Sequence, residues 1–266
     1  FPLASGAWVI RLESCMKDIK DISSLKLRVG YGMTGRQEIG LYNSLATLGE
    51  RDGVLNNIKS VGIVPDRIPN PNLSWEKTKQ LNIGMDLSVL NNRLSLTTDF
   101  YVKNTTDLLY DLPLPLTSGY SSITENVGAV KNTGYEITLS TRNIVGEGLN
   151  WSSNFTFSQN FNKVVKLREG LTEVINGGTL LRVGQPLGTI FGYRTDGLFS
   201  VGDKTLSQQP GAEPGDRKYV DIAGTPINNP DGTKPTTAPD GIINDYDRQI
   251  IGYTLTKFIY GFSNSF

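Results

Sequence analysis

From Leu81 to Val89 every second residue is apolar: Leu81, Ile83, Met85, Leu87 and Val89 alternate with Asn82, Gly84, Asp86 and Ser88. Strand side chains point alternately to opposite faces, so this period of two specifies a β-strand with one apolar and one polar face. Asn91-Asn92 follows, a residue type that tolerates positive φ, and reads as a two-residue hairpin turn. Leu94, Leu96, Thr98, Phe100 and Val102 then alternate with Ser95, Thr97, Asp99, Tyr101 and Lys103. The pattern recurs with Leu25, Leu27, Val29, Tyr31 and Met33, and again with Tyr135, Ile137, Leu139 and Thr141. Further strands are read from Trp151, Phe155, Phe157 and Phe161, and from Phe258, Tyr260, Phe262 and Phe266. Trp8, Ile10 and Leu12, set against Arg11 and Glu13, suggest one more at the start. The fold class is all-β, an antiparallel arrangement of about seven long strands.

The connections sharpen this reading. Segments 15–24, 91–92 and 146–148 are short, whereas 35–74, 104–131 and 163–254 are long. Short and long alternate strictly, so all tight turns fall at one end of the sheet and all long loops at the other. That is the layout of an outer-membrane barrel, with short periplasmic turns and long extracellular loops. Ten residues at ~3.3 Å each, tilted ~40°, rise about 25 Å, the height of the apolar band of such barrels. Trp8, Tyr31, Tyr135 and Trp151 stand near strand ends, where aromatic girdles sit. One-sided alternation also describes a β-sandwich whose apolar faces meet in a core. A secreted binding module or adhesin of that kind is the alternative. Against it stand strands of ten or more residues and loops too long for a compact sandwich.

Composition removes other classes. The 266 residues include one cysteine, Cys15, and no histidine, which excludes Ser-His-Asp and Cys-His catalysis and every His-containing zinc site. Lys+Arg equals Asp+Glu, so no net field favours nucleic acid. No apolar run reaches the ~18–20 residues of a membrane helix, which says nothing against membrane strands. No enzymatic activity is expected.

Several runs resemble the SusC/RagA-type TonB-linked outer-membrane proteins of Bacteroidota. They are Leu25-Lys26-Leu27-Arg28-Val29-Gly30-Tyr31-Gly32-Met33-Thr34-Gly35, Asn70-Pro71-Asn72-Leu73-Ser74-Trp75-Glu76-Lys77-Thr78 and Asp99-Phe100-Tyr101-Val102-Lys103. Asn126-Val127-Gly128-Ala129-Val130-Lys131-Asn132-Thr133-Gly134-Tyr135-Glu136 and the stretch from Pro186 to Phe199 continue the likeness. The resemblance implies a 22-stranded barrel with a plug, a SusD-like surface lipoprotein partner, and import of oligosaccharides or peptides energised through the TonB complex. Against that pattern, residues 1–266 read as part of the barrel domain in the bacterial outer membrane, in contact with its lipid, without plug, signal peptide or final strands. Segment 163–254 is expected to be a long extracellular loop region.

Loop aromatics Trp75, Tyr110, Tyr120, Tyr193 and Phe199 are candidates for contact with a sugar or peptide, since rings hold the apolar C–H faces of sugars. Packing of loop against loop is the plainer role for each. The turn Asp240-Gly241-Ile242-Ile243-Asn244-Asp245-Tyr246-Asp247 is similar to the second half of a calcium loop. A structural calcium site there would use Asp221, Asp240, Asn244 and Asp247. Ala223 replaces a polar ligand position, however, and residues 225–239 intervene. A polar surface turn is the competing reading, and no other cofactor is expected. Arg28, Asp86, Asp99, Lys103, Glu136 and Arg142 lie on polar strand faces, where ion pairs with each other or with a plug are expected. Gly35-Arg36-Gln37-Glu38-Ile39-Gly40 lacks the Gly-Lys-Ser/Thr ending of a phosphate loop.

Overall fold

The structure, a computed structural model, describes residues 1–36, 44–223 and 238–266. In chain order it begins with β1 (Leu3–Val9), β2 (Ile22–Arg36), β3 (Thr47–Leu55), β4 (Ile58–Arg67), β5 (Glu76–Val89), β6 (Leu94–Pro113), β7 (Ser122–Val145) and β8 (Asn150–Leu167). Six short strands follow: β9 (Glu173–Asn176), β10 (Thr179–Arg182), β11 (Thr189–Tyr193), β12 (Thr195–Leu198), β13 (Arg217–Tyr219) and β14 (Arg248–Tyr253). The last is β15 (Ile259–Ser265). Two compact units result. The first comprises Phe1–Val174, Arg182–Leu187 and Leu255–Phe266; the second comprises Ile175–Leu181 and Gly188–Thr254.

The first unit is built on one seven-stranded antiparallel sheet, ordered β1-β2-β5-β6-β7-β8-β15. Its register matches apolar to apolar across neighbouring strands. Val29 faces Ile83, Ile83 faces Phe100, and Phe100 faces Tyr135. Leu139 faces Phe155, which faces Phe262. A one-residue slip would move every apolar side chain to the other face, so the alternation itself fixes the pairing. The apolar face stays open: Val29 is 50%, Ile83 45%, Phe100 43% and Phe262 66% exposed. The buried apolar residues of this unit lie elsewhere. Val127, Val130, Val164 and Leu167 cluster where β7 and β8 approach the long connections, with Val130 opposite Val164.

The strands differ from the sequence expectation in five places, one of them segment 35–74, which carries the antiparallel β3–β4 hairpin. β1 spans Leu3–Val9 and gives way to 3-10 turns at Ile10–Leu12 and Ser14–Met16, so Ile10 and Leu12 are not strand residues. Arg11 holds that corner by donating to the carbonyls of Ile22 and Met16. The Asn91-Asn92 turn also recruits Leu90; the three have φ of 55°, 55° and 61°. Segment 104–131 is not an open loop. β6 and β7 stay paired out to Pro113 and Ser122, across register shifts near Leu108. Those shifts, and a left-handed Asp107 at φ 58°, are where the period-two pattern breaks while pairing continues. Segment 163–254 likewise opens with the end of β8 and contains β9 to β14. Gln37–Gly40 and most of 225–239, on which the phosphate-loop and insertion readings fall, lie outside the described residues.

Beyond Ser158 the edge of β8 is no longer paired to β15. Segment 184–187 takes over. Gly184 donates to the Val164 carbonyl at 2.8 Å, Val164 donates to the Gln185 carbonyl at 2.9 Å, and Leu187 N–H donates to Asn162 Oδ1 at 2.6 Å. An exposed strand edge is thereby satisfied locally.

The second unit holds the antiparallel pair β12–β13 and most of a four-stranded sheet ordered β14-β11-β10-β9. Leu180, Leu181, Thr189, Phe199 and Asp247 are its buried side chains.

Candidate functional site: the polar wall and the loop rim

The polar face of the seven-stranded sheet carries a charge network built around glycine. Arg28, Gly84 and Asp99 lie in one cross-strand row on β2, β5 and β6. With no side chain at Gly84, the guanidinium of Arg28 reaches over it. Nε meets Asp86 Oδ2 at 2.8 Å, and Nη1 meets Asp99 Oδ1 at 3.0 Å. The arrangement repeats one row on, where Tyr101, Gly134 and Asn160 align on β6, β7 and β8. Tyr101 lies across Gly134 and donates its hydroxyl to Asn160 Oδ1 at 3.1 Å. Asn162 Nδ2 donates to Asn132 Oδ1 at 2.7 Å, which extends a carboxamide ladder along the wall. Gln80, Asn82, Lys103 and Glu136 complete an open polar concavity around Tyr101.

Where the strands leave this wall toward the long connections, two of the quoted runs lock together. Asn126 Oδ1 accepts from Ser74 N–H at 2.8 Å, while its Nδ2 donates to the carbonyls of Ser74 at 2.8 Å and Asp107 at 2.7 Å. Asn70 Nδ2 donates to the Thr124 carbonyl, Glu76 accepts from Leu109 N–H, and Lys77 pairs with Asp107 at 3.2 Å. The grip on both backbone groups of Ser74 fixes the neighbouring Trp75, which is 47% exposed. Tyr110 sits on β6 opposite Glu125, and Tyr120 lies in the turn before β7; both are half-buried.

In the second unit, the Tyr193 ring packs tilted against Tyr219 with centroids 5.1 Å apart, and its hydroxyl lies 3.3 Å from Asp245 Oδ1. Burial first, and then the Asp245 charge, push the Tyr193 phenol up from its ordinary value. Phe199 is 4% exposed and lies under the Lys218 ammonium at 5.9 Å, so its ring is interior packing. Asp203 is held below the usual carboxylate range by the Thr205 backbone N–H and hydroxyl, and then by Lys218.

The acidic turn binds backbone rather than converging on a point. Asp247 is fully buried, and accepts from Ile222 N–H at 2.8 Å, Ala223 N–H at 3.1 Å and Asn244 N–H at 2.8 Å. Burial pushes its carboxyl up, but these amide bonds outweigh it and the net shift is downward. Asp221 Oδ2 accepts from Gly241 N–H, Asp240 Oδ1 from Ile242 N–H, and Asn244 Oδ1 from Tyr246 N–H. Asp221 Oδ1 is buried without a hydrogen-bond partner. Calcium takes six to eight oxygens. Among the described residues no three His, Cys, Asp or Glu side chains form a group that could hold a metal ion. Among the described residues the donor set falls short of a calcium shell.

Comparison with known proteins bears on the sheet directly. The family model "TonB dependent receptor-like, beta-barrel" matches residues 20–238. The chain belongs to the TonB-dependent receptor family. TonB-dependent receptor P3 of Formosa agariphila is 34% identical over 276 residues, covering 99% of this chain and 26% of the relative. TonB-dependent receptor SusC of Bacteroides thetaiotaomicron is 32% identical over 181 residues, covering 64% of this chain and 17% of SusC. Among solved structures, the RagAB peptide transporter superposes with a TM-score of 0.75 at 29% identity, over 98% of this chain and 27% of that one. The chain therefore spans about a quarter of the length of the full-length relatives it matches.

As a TonB-dependent receptor barrel segment, the sheet resides in the outer membrane, in a family of receptors and transporters rather than enzymes. Its open apolar face is the lipid side and its polar face the lumen side. The two-sheet sandwich alternative is set aside. Arg28, Asp86 and Asp99, expected to form ion pairs on the lumen face, are joined in the structure. Gly84, Gly134 and Asn126 are not among the residues the sequence pattern singles out. The available signal was a glycine flanked, in register, by long polar side chains on both neighbouring strands. Of the aromatic candidates, Trp75, Tyr110 and Tyr120 belong to the first unit and Tyr193 and Phe199 to the second.

Proposed function

We propose that this segment forms part of the wall of a transporter that imports oligosaccharides or peptides across the outer membrane, working with a SusD-like surface lipoprotein and driven through the TonB complex. The observation that carries this reading is the lumen face. Four carboxamides, Gln80, Asn82, Asn132 and Asn160, line an open concavity together with the Tyr101 phenol, the Lys103 ammonium and the carboxylates of Asp99 and Glu136. Carboxamides both donate and accept, which suits the hydroxyls of a sugar or the amides of a peptide, and neither demands a net charge. The relatedness to SusC and to the RagAB peptide transporter supports the same reading.

The test is uptake. Cells lacking the full-length gene are supplied with defined oligosaccharides and oligopeptides, with and without collapse of the proton gradient. The expected result is gradient-dependent loss of uptake of one class, together with co-purification of a lipoprotein with the tagged full-length protein. Unchanged uptake of both classes would overturn the proposal.

A further inference from the structure

The lipid side of the sheet ends, toward the long connections, in a row of lysines. Register places Met33, Lys79, Asn104, Lys131 and Lys163 side by side on β2, β5, β6, β7 and β8. Directly below, on the same face, lie Tyr31, Leu81, Val102, Thr133 and Phe161. The lysines thus stand immediately above the apolar band, at the extracellular end by the short-turn, long-loop rule. All three are exposed. Lys77, one row further out, is engaged with Asp107 at 3.2 Å. Lys79, Lys131 and Lys163 have no acidic partner among the described residues.

Two features separate this row from scattered interfacial lysines. Lys131 and Lys163 are direct cross-strand partners, a placement in which like charges repel. From the short-turn end up to this row, β2, β5, β6, β7 and β8 put no Asp or Glu on the lipid side; Asp86, Asp99 and Glu136 all lie on the lumen side. The sheet therefore holds an uncompensated stripe of positive charge at the height of the outer-leaflet headgroups. Strands lie about 4.8 Å apart, so Lys79 and Lys131 flank Asn104 at about 10 Å, within reach of one headgroup.

We infer that this row binds the phosphate-bearing headgroup of an outer-leaflet lipid, with acyl chains lying against Leu81, Val102 and Phe161. The phosphate offsets the repulsion between Lys131 and Lys163, and the polar Asn104 donates between the charges. This assignment concerns the lipid side and is independent of what passes through the lumen.

The test uses the full-length receptor, stripped of lipid in mild detergent and titrated with lipid A, with dephosphorylated lipid A and with inorganic phosphate, binding being read by native mass spectrometry. Each of K79Q, K131Q and K163Q is expected to weaken lipid A binding about fivefold, and the triple variant on the order of a hundredfold. K17Q/K20Q, in the turn at the other end, removes two lysine charges away from the row and is expected to bind as the parent does. Dephosphorylated lipid A should bind the parent no better than lipid A binds the triple variant. In lipid-free detergent K131Q should raise the melting temperature, and lipid A should reverse that order. Equal lipid A binding by parent and triple variant would overturn the inference. So would displacement of the lipid by millimolar inorganic phosphate, which would mark a general anion patch.

Discussion

Single atoms decide the lumen wall at two glycines. A Cβ on Gly84 would fall within 2.7 Å of Arg28 Cζ and inside contact distance of Asp99 Oδ1. A Cβ on Gly134 would meet the Tyr101 ring and hydroxyl at 2.5 Å and the Gln159 carbonyl at 2.6 Å. Arg28 can shift at its flexible end, whereas the Gln159 backbone cannot. G134A is therefore expected to destabilise the full-length barrel by about 1–3 kcal/mol, with G84A near the lower end, read as lower thermal midpoints in detergent. The reverse order, or no change at Gly134, would show that Tyr101 does not lie across it. Asp247 makes the other residue-scale prediction. Its folded pKa lies below its unfolded value, so its stabilising contribution is complete above about pH 4 and is lost as pH falls through the folded value. D247A should leave three buried amide donors unpaired, at a cost on the order of 3 kcal/mol. Pepsin cleavage within residues 188–254 should therefore rise steeply as pH falls from 4 to 2 in the parent, and should already be high at pH 4 in D247A. Identical pH profiles would sink the assignment.

At the scale of elements, the rim depends on one carboxamide that joins the segment before β5 to the β6–β7 hairpin. Replacing Asn126 with alanine removes three hydrogen bonds, two of them to the backbone of Ser74. The expected loss is roughly 2–3 kcal/mol, felt locally as faster hydrogen exchange at residues 70–77 and lower fluorescence anisotropy at Trp75. Asp at 126 keeps the acceptor but loses both donor bonds, so N126D should not rescue; protection unchanged in either variant would refute the lock. This clasp was not legible beforehand, because a run of polar residues states nothing about its partner 50 residues away. The strands were legible for a physical reason: a sheet with lipid on one side and water on the other must alternate strictly. Above the membrane that demand lapses, and the alternation ends near Asn104 while pairing continues to Pro113. Segment 104–131 therefore looked like a loop although it is a hairpin. The corner at Ile10 is illegible for the opposite reason, since three alternating residues are too few to separate a strand from a turn.

For the whole molecule, burial is inverted relative to a water-soluble domain. The seven-stranded sheet exposes Val29, Ile83, Phe100 and Phe262 on one face, and its buried apolar residues are Leu112 and a small cluster where β7 and β8 leave the membrane. Its two outer strands, β1 and β15, each have a neighbour on one side only. In the hydrocarbon region an unpaired strand edge leaves backbone N–H and C=O groups without water, at several kcal/mol apiece. With seven residues on each edge strand, that penalty exceeds any stability a sheet of this size supplies on its own. A polypeptide limited to these 266 residues is therefore expected to fail to insert as a stable barrel in liposomes or micelles. It should run in gel electrophoresis at the same position before and after boiling, whereas the full-length receptor should shift on boiling, as a closed barrel does when it is finally unfolded. If the 266-residue chain instead showed a heat-dependent shift with protease protection as a monomer, β1 and β15 would have to pair with each other, and the open sheet described above would be wrong. If it gained protection only as a defined oligomer, the edges would be closing on second copies, and the open sheet would be right about which backbone groups require a partner.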